Sequence, residues 1–136
     1  MNIENLLKLA DLLEADAHND QGVQFDLNTL GRSKTEPAVS CHTVACGMGI
    51  AALSGVFPDL TYHVEPHISG TNVIEMVYKG ERIDFSKAAE KLFDIDYYVA
   101  EVLFNPRCTT RALIGREGEL ELAESIRNLV AGRPYN

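Results

Sequence analysis

The chain has 136 residues and a mass of 15.0 kDa, the length of one domain, so residues 1–136 are read as a single globular unit. Hydrophobic residues make up 46% and charged residues 24%, which excludes global disorder. Twelve Lys and Arg against twenty Asp and Glu give a net charge of −8. That balance argues against nucleic acid and anionic membranes as partners, since both select basic patches.

No stretch reaches the roughly 18 apolar residues of a membrane span. The N-terminus carries Glu4 where a secretory signal needs positive charge. Three cysteines are too few for a disulfide framework, and a reducing cytoplasm is the expected location.

Ile3, Leu6, Leu7, Ala10 and Leu13 recur at helical spacing, which predicts a helix from Ile3 to Ala15 with Asn2 as its N-cap. His18 to Gly22 has the composition of a turn. Asp26 is placed to cap a short helical turn holding Leu27 and Leu30, and Gly31 to Pro37 reads as a polar loop. The uncharged run Ser40 to Leu53 predicts a buried central helix, capped by Ser40 and ended by Gly55. Gly47 and Gly49 each cost such a helix about 1 kcal/mol, and close approach of a neighbouring backbone is the expected offset.

Leu60 to Val64 reads as a strand. Val73 to Tyr78 and Glu81 to Phe85 form a predicted hairpin turning at Lys79-Gly80, with Leu60 to Val64 as its third strand. Ser86 is the expected cap of a helix through Phe93, and Asp96 of one through Phe104 that Asn105-Pro106 stops. A last helix covers Gly118 to Ala131. The expected class is therefore α+β: about five helices around a buried central helix, with a small antiparallel sheet.

Cys41-His42-Thr43-Val44-Ala45-Cys46-Gly47-Met48-Gly49-Ile50-Ala51 resembles a C-x-T-x-A-C-x-x-G-x-A signature of small bacterial and phage-like proteins. Val23-Gln24-Phe25-Asp26, Ala88 to Phe93 and Leu103-Phe104 extend the resemblance over most of the chain. His42 stands where that signature usually has a small residue. The resemblance implies a fold and carries no activity with it.

Two places carry candidate chemistry. Cys41, at the predicted helix N-terminus, has the setting of a nucleophilic thiol, with His42, His63 and His67 as available bases. A structural core cysteine is the commoner outcome for such a residue. On a helix, Cys41 and Cys46 would stand about 8–9 Å apart, too far for a disulfide, which needs less than about 7 Å. His63, Glu65 and His67 alternate along an extended segment and share one face, a first shell for a divalent metal if Pro66 bends the chain. An edge strand with incidental histidines is again the commoner outcome.

Glu117, Glu119 and Glu121 read as a solvated helix start. Of Tyr97 and Tyr98, one ring is expected inward and one outward. An accessory or protein-binding domain is the preferred function. A thiol-dependent hydrolase or transferase using Cys41 is the alternative, and a metal-binding domain the third. Leu120, outside the inward face of the last helix, points to a homodimer, with the hairpin edge as the competing interface.

Overall fold

The first helix begins where a side chain satisfies an otherwise orphan backbone N–H. In a computed structural model, which describes residues 1–19, 22–29, 31–33, 43–66 and 72–136, Asn2 Oδ1 accepts from the Asn5 N–H at 3.0 Å. Helix α1 runs Ile3–Ala17 and buries Leu6, Leu9, Ala10, Leu13 and Ala17. The inward stripe is rotated from the expected one: Leu9 is fully buried, while Ile3 and Leu7 are exposed. Each fully buried leucine contributes about 1.5–3 kcal/mol of apolar burial.

Beyond α1 the chain enters a sheet that the sequence only partly announces. Strand β1 is Gln24–Phe25 and β2 is Gly31–Ser33. The polar loop expected from Gly31 therefore begins as a strand, and residues 34–37 lie outside the described set. Gly31 is required there by close approach, since a Cβ would stand 2.7 Å from Ile74 Cβ. The expected helical turn after Asp26 is an Asx turn, with Asp26 Oδ1 accepting the Asn28 N–H at 2.9 Å. Leu30 lies outside the described residues.

The central helix is shorter than its uncharged sequence suggests. Thr43–Ala45 is strand β3, and α2 spans only Gly47–Ser54. β-branched Thr43 and Val44 suit the strand, and α2 starts after Cys46, whose backbone is extended. Because Thr43–Ala45 is a strand, the helical spacing expected between Cys41 and Cys46 does not apply, and Ser40, Cys41 and His42 lie outside the described residues. Every residue from Gly47 to Leu53 is buried, and Gly55 closes the helix in the left-handed region at φ 72°. Gly47 is needed for packing, but against side chains rather than backbone. A Cβ there would meet Leu122 Cδ2 at 2.6 Å and the Phe104 ring at 3.5 Å.

Strands β4 (Leu60–Pro66), β5 (Asn72–Tyr78) and β6 (Glu81–Arg82) complete the sheet. Lys79 and Gly80 turn the β5–β6 hairpin with φ of 50° and 84°, the sign a tight primed turn needs. Strand order is β1-β3-β2-β5-β4, with β6 also on β5. The sheet is mixed rather than wholly antiparallel, because β1 pairs with β3 in parallel. Leu60, Ile74 and Met76 point into the core, and the opposite face carries Thr61 and His63 outward.

Helix α3 is Phe85–Phe93 and α4 is Tyr97–Phe104. Asp84, not Ser86, caps α3 by accepting the Lys87 N–H at 2.9 Å, which ends the predicted strand at Arg82. Ser86 is buried and donates to Glu101 instead. Asp96 caps α4 as expected. Tyr97 and Tyr98 are both exposed, against the expectation of one inward ring. Helix α5 runs Gly115–Val130, starts three residues early, and lies along α1. Leu120 on it is half-buried.

The architecture is α+β. At the centre Phe57 meets Phe93 edge-to-face and Phe93 stacks on Phe104, with ring centroids 6.1 and 6.0 Å apart. Among the described residues no helix is long and apolar enough to cross a membrane. Replacing Gly47 by Leu should cost about 1–3 kcal/mol through overpacking against Leu122 and Phe104. Urea unfolding measures it, and a wild-type midpoint would contradict this packing.

Candidate functional site

The end of α1, strand β1 and the start of α5 enclose a cleft of about 590 Å³. Its walls include Val23, Phe25, Val44 and Ile114, and its charged residues are Asp16, Asp26, Arg116 and Glu119. Helical spacing brings the two central acids inward. Asp16 follows Leu9 and Leu13 by seven and three residues, and Glu119 precedes Leu122 and Ala123 by three and four.

Glu119 is 2% exposed. Its carboxyl lies in hydrogen-bonding contact with that of Asp16. Burial, first, and then the Asp16 carboxylate push its pKa up to about 10. Near neutral pH Glu119 therefore holds a proton. Asp16 Oδ1 accepts the Val23 N–H at 2.8 Å. A Cβ at Gly22 would collide with that oxygen, so glycine lets the chain wrap around it. Among the described residues, Asp16 Oδ2 and Glu119 Oε2 are buried and receive no bond from an N–H or O–H donor. A proton on Glu119 is the donor the pair otherwise lacks.

The solvated helix start read from Glu117, Glu119 and Glu121 therefore splits three ways. Glu117 is exposed in the first turn of α5. Glu121 accepts the Ala112 N–H at 3.0 Å. Glu119 faces the cleft. Asp26, on the cleft wall, is already engaged: Oδ1 accepts from the Asn28 backbone and side chain, and Oδ2 from the Thr29 hydroxyl.

Cys41, His42 and His67 lie outside the described residues. The cysteine standing at the helix N-terminus is Cys46, the N-cap of α2, whose Sγ accepts the Gly49 N–H at 3.4 Å. Burial pushes its pKa up, so the thiol stays protonated. It borders a second cleft of about 390 Å³ with Asn28, Phe85, Asn105 and Arg107, and no histidine is among the residues described there.

His63 and Glu65 share the outer face of β4, as their alternation predicts. His63 Nε2 and Glu65 Oε1 are 2.8 Å apart, and Arg82 Nη2 donates to the same oxygen at 3.0 Å. Arg82 also pairs with Glu75 at 3.0 Å. These bonds, from His63 first and then Arg82, hold the Glu65 carboxyl below its ordinary range. Among the described residues no three His, Cys, Asp or Glu stand close enough together to hold a metal ion.

The acid pair gives stability a pH dependence of definite sign. Glu119 is protonated in the fold up to about pH 10 and ionised in the unfolded chain above about pH 4.5. Its contribution is complete below the lower value and is lost as pH rises toward the upper one, by at most about 1.4 kcal/mol per pH unit. Glu119→Gln keeps a donor to Asp16 without a titrating proton. Urea unfolding from pH 5 to 9 should show a shallower decline in the variant than in wild type, and parallel curves would contradict the shared proton. A second measurement addresses the thiols: Cys46 should react with a thiol reagent at least about tenfold more slowly than the exposed Cys108. The chain matches no protein-family model, no curated protein and no solved structure.

Proposed function

We propose that the protein is a small binding domain that acts through the α1–β1–α5 cleft. The observation behind this reading is the buried Asp16–Glu119 pair on its wall. A glutamate held protonated in the fold lowers stability at neutral pH relative to a neutral residue of the same shape. Groups kept at such a cost, in a concave site with apolar walls, are characteristic of binding and catalytic positions. The cleft offers acceptors and apolar surface, which suits recognition.

The thiol-enzyme alternative draws less support from the described residues. Cys46 is a neutral, buried cap, and neither property favours nucleophilic attack. The His63–Glu65–Arg82 group is solvated and mutually paired.

A fragment screen read by amide chemical shifts on the full chain tests the proposal. Bound fragments should move the amides of Val23, Phe25 and residues 115–119. Shifts gathered instead around Cys46, or on the His63 face, would overturn it. Thioester hydrolysis abolished by Cys41→Ala would overturn it in favour of the thiol enzyme.

A further inference from the structure

We propose that the α1–β1–α5 cleft takes a guanidinium group, which donates to the paired carboxyls of Asp16 and Glu119. The inference rests on the binding reading above and names the class of ligand. It starts from the two buried oxygens without an N–H or O–H donor, Asp16 Oδ2 and Glu119 Oε2. They belong to two helices, border one cleft, and one of them sits on a side chain 2% exposed. Two neighbouring carboxyls suit a guanidinium, whose planar fork donates to more than one oxygen at once.

The walls select among cations. Val23, Phe25, Val44 and Ile114 are poor surroundings for a strongly hydrated ammonium, whereas a guanidinium sheds water readily and lies flat on apolar surface. A divalent ion would need further hard ligands, and Asp26 already spends its oxygens on Asn28 and Thr29. The exchange also balances. Before binding, Glu119 carries the proton. On binding, that proton leaves to solvent as the cation enters, so the charge of the site is unchanged. The other charged residues lining the cleft are Asp26, just after β1, and Arg116 in the first turn of α5, one of each sign.

The shared chemistry has two sources, a free small guanidine or an arginine side chain of a peptide. Calorimetry and amide shifts on the full chain would use methylguanidinium and the peptide acetyl-Gly-Arg-Gly-amide. Methylammonium and the citrulline peptide are the comparators, at pH 6, 7 and 8. Both guanidinium probes should bind at Val23 and residues 115–119. The citrulline peptide should bind at least about tenfold more weakly. Affinity should rise about tenfold per pH unit, with one proton released per ligand. Equal affinity for the two probes assigns a site for the group alone, and tighter binding of the peptide assigns an arginine-bearing chain.

Glu119→Gln and Asp16→Asn should each lose at least about tenfold in affinity, and the first should flatten the pH dependence. Proton release on the wild-type protein decides the matter if either variant fails to fold. Equal binding of citrulline and arginine, affinity independent of pH, or an unchanged Glu119→Gln variant would overturn the inference. Neutral fragments occupying the cleft while guanidinium probes do not would overturn it and leave the binding reading standing. Ligands found only elsewhere would overturn both.

Discussion

Helix α5 lies along α1, and at their contact burial favours the uncharged form of one carboxyl, that of Glu119. The two helices join residues from opposite ends of the chain, with Leu6, Leu9, Leu13, Leu122 and Ile126 sealed between them and the core. Where that contact meets the cleft, Asp16 and Glu119 face each other. Two ionised carboxyls there would repel in a medium that screens poorly. Protonation removes the repulsion and supplies the missing donor in one step. The same helices show the solvated contrast. Arg127 of α5 pairs with Asp11 and Glu14 of α1 at the surface, where such bridges contribute little. Three acids on one helix are thus handled in two ways, according to whether water reaches them.

Side-chain periodicity made the amphipathic elements legible. Helices α1, α3, α4 and α5 each pair an apolar stripe with polar residues, and their stop signals, Gly55 for α2 and Asn105-Pro106 for α4, act locally. The uncharged stretch Ser40 to Leu53 has no such contrast. A segment buried on all sides shows neither a period of 3.6 nor one of 2, so its division into β3, the Cys46 cap and α2 was not visible. Gly31 misled for a related reason. Glycine reads as a loop residue, yet here it lets β2 pass close to Ile74.

The candidate site was legible in principle but hidden by composition. Alternating Glu117, Glu119 and Glu121 look like one acidic tract, whereas neighbours two apart on a helix diverge by about 200°. They cannot share one face, and Glu119 falls on that of Leu122, Ala123 and Ile126. Asp16 falls likewise on the face of Leu9 and Leu13. Two acids on two core-facing stripes were the signal. Their meeting depends on how α1 and α5 pack, which no local pattern encodes. Cys46 shows the reverse: the sequence points to Cys41 at the helix start, but the helix is capped by Cys46, six residues after Ser40.

The outer face of the sheet shows how the acid pair of the cleft differs from the histidine strand. Glu65 is stabilised as a carboxylate by His63 and Arg82, both in water, so removing one partner leaves solvent to replace it. Glu119 has no such substitute. Its charge is suppressed by a proton, and a proton is the one partner that a cation can displace without leaving a vacant bond. A solvated ion pair resists change because water buffers it. A buried acid pair responds, because its charge and its hydrogen bond depend on the same proton.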